Sequence, residues 1–380
     1  MNIGNKPTVV DLFCGCGGFG LGAELAGFHT VAAVDIDTTL QSAYQYNFPN
    51  TNVITADLSE INKSDWKTIL NGLEIDGVIG GPPCQGYSRM GAGDLNDPRR
   101  LLLKDFYRHV NILKPKFFIM ENVEGLMDAK NVSQLTEAIK CLHSRYTVLE
   151  PFIIDSSDYG APTKRKRVIV VGYDKSRMAE ININELLSPK TERVTVRDAI
   201  ADIREPIKQN TDNEDYGWHK YKNKKLLSRY AKAMRKRPPA GLGAKQARNY
   251  LAEGMLSGHF DTSHTDHVKA RYASLEPGVT DSVSRAKKLA WDGLCPTLRA
   301  GTGSDKGSHQ AVRPIHPSSP RVITVREAAR LQGFPDWFCF HQTKWHSFRM
   351  IGNSVSPIIS NMLLRNISQL IKTNKVKLAA

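Results

Sequence analysis

Four short segments of this chain place reactive or charge-bearing side chains where glycine and proline restrict the backbone. In Gly80-Gly81-Pro82-Pro83-Cys84-Gln85-Gly86-Tyr87-Ser88, two prolines stiffen the approach to Cys84 and the glycines before them permit close contact with a ligand. A cysteine so placed is a nucleophile when nearby positive charge or helix-end amides favour its thiolate. Met120-Glu121-Asn122-Val123 closes an apolar run with a carboxylate, and partial desolvation suits such a group to donating a proton. Gly160-Ala161-Pro162-Thr163-Lys164-Arg165-Lys166-Arg167 leads into another apolar run. Side chains alternate along a strand, so Arg165 and Arg167 point to one side and aim two guanidinium groups at one anionic or carbonyl-rich target. The fourth segment, from Asp11 to Gly22, holds a GxGxxG pattern at Gly15, Gly17 and Gly20, with Asp35 twenty residues beyond Gly15. That is the arrangement of a nucleotide-type site, in which glycines let the backbone approach the ligand and the carboxylate accepts hydrogen bonds from ribose hydroxyls. Asp57, closing the third apolar run, is placed to receive an adenine amino group. The pattern alone does not distinguish NAD, FAD and S-adenosylmethionine.

Strands and helices must hold these segments together. The runs 8–13, 30–35, 52–57, 77–81, 117–122, 146–155 and 167–172 are near-continuous apolar, as strands covered on both faces must be. Helical patterns fall near 20–27, 38–47, 99–113 and 132–143. This alternation predicts an α/β fold built on a doubly wound, mostly parallel sheet, with ligands at the carboxyl ends of its strands. After about 175 the sequence turns polar, basic and rich in Gly and Pro, which marks a smaller, mixed second region. Order returns where Thr324-Val325-Arg326-Glu327 forms a capping box opening a helix that stops at Gly333-Phe334-Pro335. A last apolar-periodic helix follows Gly352-Asn353-Ser354. The division expected is 1–178, 179–295 and 296–380, the third part returning to the first.

With 380 residues, 41% of them hydrophobic, the chain can fill a core in two or three domains, which argues against disorder over most of its length. It has no run of about 18 apolar residues and no signal-peptide pattern at its start, so a soluble cytoplasmic protein without membrane attachment is expected. The six cysteines, Cys14, Cys16, Cys84, Cys141, Cys295 and Cys339, form no CxxC pair and read as free thiols in a reducing compartment. His259, His264 and His267 lack a Cys or carboxylate at ligand spacing, so they are expected to be surface histidines, with no metal. Lys and Arg number 52 against 38 Asp and Glu, a net charge of +14. From 221 to 250 there are ten Lys or Arg and no acidic residue, the composition of a surface that neutralises phosphates.

In this order the motifs resemble those of the DNA cytosine-5 methyltransferases of the prokaryotic restriction-modification type. DLFCGCGGFGLG resembles their cofactor loop, GGPPCQGYS their nucleophile loop, MENV their proton-donor motif and TKRKR their paired-arginine motif. TVREAARLQGFPDWF and GNSVSP match the two C-terminal motifs. The resemblance covers roughly 1–175 and 290–372; Tyr87 stands where the family has Phe, and Thr163 where it has Gln. It implies a Rossmann-like S-adenosylmethionine-dependent methyltransferase sheet with a target-recognition domain at 179–295. S-adenosylmethionine would be consumed and S-adenosylhomocysteine released. The implied catalytic residues are Cys84, Glu121, Arg165 and Arg167. Phe13, Gly15, Gly17, Asp35, Ile36, Asp57, Leu102, Asn353 and Ser354 would hold the cofactor, and Gln85 and Ser88 would contact the substrate. The implied partner is duplex DNA, bound by a monomer associated with the nucleoid, together with a cognate restriction endonuclease reading the same site.

Three other readings are weighed against this one. A nicotinamide or flavin oxidoreductase would leave PPCQ, ENV and the basic middle unexplained, and a binding-only relative would lack Cys84 or Glu121. A tRNA cytosine-5 methyltransferase of the same fold is the alternative substrate class, and the long basic middle region favours duplex DNA over it.

Overall fold

The computed structural model describes residues 6–83, 101–209, 216–222, 227–301 and 313–379, with side chains described to 371. The apolar runs of the N-terminal half become β1 (Thr8–Leu12), β2 (His29–Asp35), β3 (Asn52–Thr55), β4 (Gly77–Gly80), β5 (Phe117–Val123), β6 (Tyr146–Val148), β7 (Phe152–Asp155) and β8 (Lys166–Asp174). They form one eight-stranded sheet in the order β3-β2-β1-β4-β5-β8-β6, with β7 also paired to β8. The first five strands are parallel neighbours, whereas β8 is antiparallel to β5, with Val123 opposite Arg167 and Glu121 opposite Ile169. Running backwards, β8 brings its first residues to the carboxyl ends of the parallel strands. The single strand expected at 146–155 is two: Leu149 still donates to Val171, but Pro151 has no N–H to continue the ladder.

Alternating strand residues serve opposite faces. Val10, Leu12, Val34, Val78, Phe118 and Met120 meet the helical layer of α3 (Lys63–Leu70), α4 (Leu102–Leu113) and α5 (Val132–Lys140). Val9, Ile79, Phe117, Ile119, Ile169 and Val171 meet α1 (Gly18–Leu25) and the C-terminal helix. Between them α2 (Thr38–Asn47) turns Leu40, Ala43 and Tyr44 toward a third cluster.

The middle region holds short elements: α6 (Ile183–Leu186), α7 (Val196–Ile200), α8 (Arg229–Met234), α9 (Lys245–Ala252), α10 (Asp266–Ser274) and a two-residue ribbon of β9 (His219–Lys220) with β10 (Met255–Leu256). Then come α11 (Val325–Gln332), α12 (Lys344–Asn353) and α13 (Pro357–Ala379). The capping box is present at α11, and Gly333 ends that helix at φ 100°, a left-handed position that glycine adopts without strain. The α13 helix lays Ile359, Met362, Leu363, Leu364 and Ile367 against α1 and the sheet, so the C-terminus folds back onto the first helix. Among the described residues no helix is long and apolar enough to cross a membrane.

Candidate active site

At the end of β1 the chain turns sharply: Phe13, Gly15 and Gly17 have φ of 54°, 52° and 93°. Phe13 holds a left-handed conformation that costs a bulky side chain energy and collects at ligand sites. The Gly15 N–H donates to Asp35 Oδ2 (2.8 Å), and the Asp37 N–H to Oδ1 (2.9 Å). Asp35 is thereby fixed at the tip of β2, and burial raises its pKa above the ordinary value. A Cβ built on Gly15 meets nothing within 4 Å, while one on Gly17 comes within 2.6 Å of Phe48. Gly15 therefore faces open space and Gly17 closes the turn. Ile36, next to Asp35, is 66% exposed, an apolar side chain held in the open beside a polar cradle.

Asp57 follows β3, and its Oδ1 accepts the Ser59 N–H and O–H. The loop beyond it is gripped from α4, where Arg108 Nη1 donates to the Ile61 carbonyl (2.7 Å) and His109 Nε2 lies 2.7 Å from the Leu58 carbonyl. Leu102 opens α4 half-buried and outside the hydrophobic clusters, while Leu103 beside it is in the core. Asn353 is exposed and Ser354 buried. A Cβ on Gly18 would lie 2.3 Å from the Val355 carbonyl and 2.9 Å from Ser354 Cβ, so the segment before α13 closes directly on the glycine turn.

The second half of the site surrounds Glu121. The chain leaves β4 through Gly81, Pro82 and Pro83, and Asn122 Nδ2 donates to the Pro82 carbonyl (3.2 Å), pinning the entry to the cysteine loop against β5. Cys84, Gln85 and Ser88 lie outside the described residues. Glu121 is 8% exposed; Arg167 Nε is 2.7 Å from its Oε1, an ion pair whose N–H is not aligned for a hydrogen bond to that oxygen. The two residues are diagonal neighbours across β5 and β8, within reach of long side chains. Arg165 is spent differently. Its Nη1 donates to the Leu298 carbonyl (3.2 Å) and its Nη2 to those of Gly352 (3.2 Å) and Ser354 (2.9 Å). Glu121, Arg165, Arg167, Ile154, Ser156 and Val355 line one small pocket. The arginines share it, one on the carboxylate and one on the backbone that closes the glycine turn. Thr163 is buried, its hydroxyl donating to the Leu331 carbonyl (2.6 Å) and its backbone bridging Cys295.

Three contributors carried no assigned role in the sequence. Asp11 is buried, its Oδ2 accepting the Gly20 N–H (3.0 Å) and the Tyr44 hydroxyl (3.2 Å), and it holds the first turn of α1. Asn122 pins Pro82. Gln332 Nε2 donates to the Ser354 carbonyl (3.1 Å), beside Arg165. All three stand inside quoted motifs, but only the fold shows their partners.

The histidine expectation fails at one position. His259 is fully buried, Nε2 against the Arg204 carbonyl and Nδ1 against the Thr324 hydroxyl (3.2 Å), and burial lowers its pKa to about 4. It fills a core position with both nitrogens partnered. His267 is exposed and His264 half-buried. Among the described residues no group of His, Cys, Asp or Glu could hold a metal. Cys14, Cys16, Cys295 and Cys339 are buried free thiols, and Cys141 is an exposed one. Of the basic stretch, Lys222, Arg229, Lys232, Lys236, Arg237, Lys245 and Arg248 are exposed, while Arg235 pairs with Asp202.

The sequence profile of the C-5 cytosine-specific DNA methylase family matches residues 7–369. Type II methyltransferase M.XorII of Xanthomonas oryzae pv. oryzae is 42% identical over 361 residues, 93% of this chain and 83% of that protein. Type II methyltransferase M.DdeI of Desulfomicrobium norvegicum is 30% identical over 389 residues, 95% and 88%. The crystal structure of an E. coli prophage protein assigned as a DNA modification methyltransferase superposes with a TM-score of 0.86 at 40% identity, covering 97% of this chain and all of that one. The S. pombe Dnmt2 methyltransferase shares the fold, with a TM-score of 0.60 at 16% identity.

Proposed function

The chain belongs to the C-5 cytosine-specific DNA methylase family, and from that premise we propose that it methylates C5 of a cytosine flipped out of a specific duplex sequence, using S-adenosylmethionine and a covalent bond from Cys84 to C6. The observation that carries this reading is the Glu121–Arg167 pair at the strand ends, beside the Pro82-Pro83 entry to Cys84 that Asn122 holds.

Cytosine C5 is too weak a nucleophile to attack an alkyl donor unaided. Addition of the Cys84 thiolate at C6 turns the ring into an enamine-like donor. Glu121 hydrogen-bonds N3 and the amino group, supplying the proton that offsets charge as C6 is attacked. Arg167 orients that carboxylate and meets the base near O2. Arg165 acts through the backbone: by gripping the carbonyls of Leu298, Gly352 and Ser354 it fixes the pocket wall and the lid of the glycine turn together. After C5 is methylated, loss of the C5 proton and elimination of Cys84 restore the aromatic ring. A stacked duplex hides these atoms, so the base must be extruded into the pocket, where Gln85 and Ser88 are the contacts beside the nucleophile.

The open space at Gly15, the exposed Ile36 and the half-buried Leu102 suit an adenosyl ligand. Asp35 would take the ribose hydroxyls, Ile36 the adenine face and Asp57 the adenine amino group, with Phe13, Gly17, Asn353 and Ser354 enclosing the rest. S-adenosylmethionine, when bound, supplies the electrophilic methyl group. The type II relatives support duplex DNA over tRNA as substrate, and a cognate endonuclease reading the same site as partner. The exposed lysines and arginines of 221–250 would track phosphates.

The test is incubation with labelled S-adenosylmethionine and 5-fluorocytosine-substituted duplex DNA. Fluorine at C5 cannot leave as a cation, so a denaturation-resistant adduct should form and map to Cys84 by mass spectrometry. Cys84→Ser should form none while still binding DNA and cofactor. An adduct with substituted tRNA but not with DNA of diverse sequence would overturn the substrate, and an adduct at another residue would overturn the nucleophile.

A further inference from the structure

A second pocket lies on the far side of the segment that Arg165 grips. Leu298, Arg299, Ala300, Arg313, Trp345 and Phe348 line it. Leu298 is common ground: its carbonyl accepts from Arg165. Gly352, another Arg165 acceptor, packs so closely beneath Ala300 that a Cβ there would lie 2.2 Å from the Ala300 nitrogen. Arg165 thus lines the first pocket and bonds the backbone of Leu298, which lines the second.

Among the described residues Arg313 has no counter-charge. Its guanidinium sits 4.1 Å over the Phe348 ring, and among the described residues no carboxylate or carbonyl accepts from it. Burial lowers its pKa, which reflects an uncompensated cation taken partly out of water. Lys344, at the start of α12, donates to the Asp261 carbonyl, and burial followed by the Arg313 charge pulls its pKa down, opposed by Asp261. Arg299 is exposed on the same wall. By contrast Arg349, one turn along α12, is matched by Asp37. The backbone beneath Arg313 is fixed, since Ile315 bridges both Lys288 and Val322 and donates to the Lys287 carbonyl. Mutually repelling cations on a rigid frame are an unfavourable arrangement that a bound anion relieves. Stacking on Phe348 leaves the N–H edge of the guanidinium free for two oxygens at once.

We propose that this pocket seats one phosphodiester of the duplex beside the extruded nucleotide, held by Arg313 and Arg299. The hydrogen bond from Arg165 to the Leu298 carbonyl would tie that phosphate site to the pocket of Glu121 and Arg167. The proposal rests on the DNA reading above.

The test measures the affinity of the intact protein for duplex DNA against salt concentration, after wild type has been shown to methylate that duplex. Failure of wild type to methylate any DNA would overturn the function and, with it, the phosphate site that rests on it. Arg313→Gln should bind roughly ten-fold more weakly at low salt and lower the slope of log K against log salt by about 0.9, the contribution of one phosphate contact. Arg313→Lys should keep the slope, and both should keep the thermal midpoint and cofactor affinity of wild type. On duplexes with single neutral methylphosphonate linkages around the target cytosine, wild type should lose affinity at one linkage where Arg313→Gln loses nothing further. If Arg313→Gln fails to fold, Arg299→Gln, an exposed change on the same wall, replaces it. A folded variant with an unchanged slope, or equal losses in the Gln and Lys variants, would overturn the proposal.

Discussion

Asp11 shows how the glycine turn after β1 is held at the level of one side chain. It is buried at the end of β1, with two donors on Oδ2 and none on Oδ1. Burial outweighs both hydrogen bonds and raises its pKa from 3.8 to about 8. The folded protein then holds a proton that the unfolded chain has already released, so Asp11 makes stability fall as pH climbs from about 4 toward 8, by at most about 1.4 kcal/mol per pH unit for one proton. Asp11→Asn keeps an acceptor for the Gly20 amide and the Tyr44 hydroxyl and removes the titration. Urea unfolding from pH 5 to 8.5 should show a flatter dependence in the variant, and the same slope in both proteins would clear Asp11 of the effect. The places of the glycines, Asp35 and Glu121 are legible in the sequence because they follow from local backbone form and from position at a strand end. The carbonyl grip of Arg165 is not, because its acceptors lie more than 130 residues away and are backbone atoms that any residue could supply.

At the scale of elements, the contact of α1 with α13 closes the glycine turn, and it depends on glycine for close approach. A methyl on Gly22 would fall 1.7 Å from Ser360 Oγ and 2.6 Å from the Asn361 nitrogen. The serine could rotate; the backbone nitrogen could not. Gly22→Ala should therefore displace α13, destabilise the fold by about 1–3 kcal/mol and weaken cofactor binding through the Ser354-Val355 segment pressed on Gly18. Adding Ser360→Ala should restore only part of each loss. Thermal denaturation and titration calorimetry with the cofactor read both, and full rescue would reduce the clash to the hydroxyl. The α13 helix and the α11 cap are readable beforehand, one from apolar periodicity and the other from Thr324 and Glu327. Other helices are not, α3 and α12 among them. The α3 helix buries Trp66 as its one core side chain, and α12 mixes basic, aromatic and small residues without a clean stripe, because its faces serve Arg299, Asp37 and the core at once.

Across the whole molecule, composition changes near 178 but the core does not break there. Val196, Ala199, Ile200, Tyr230, Met234 and Leu251 share one cluster with Leu21, Leu40, Tyr44, Phe334 and Phe338. A charge network centred on the fully buried Arg330 and Asp336 crosses the same boundary. Arg330 on α11 grips Asp336 through Nε and Nη2 (both 2.7 Å) and reaches Asp202 and the Ala199 carbonyl in the middle region; Arg235 of the basic stretch completes Asp202, and the Tyr221 hydroxyl donates to Asp336 (2.6 Å). No local pattern announces this, since an arginine in an amphipathic helix reads as its solvated face, and here it is the buried one. One buried core and one ion-pair network therefore join the middle region to the rest of the fold. Removing the central cation tests it: Arg330→Met leaves Asp336 buried without its bidentate partner, a loss of about 3–5 kcal/mol, whereas Arg330→Met with Asp336→Asn removes both charges and should recover much of it. If the regions are one cooperative unit, denaturant unfolding followed by the tryptophans of both, Trp218 and Trp66, should give one coincident transition in wild type and in both variants, shifted by these amounts. Separate transitions at the two probes would mean that the middle region folds on its own and that the shared core contributes less than its burial implies.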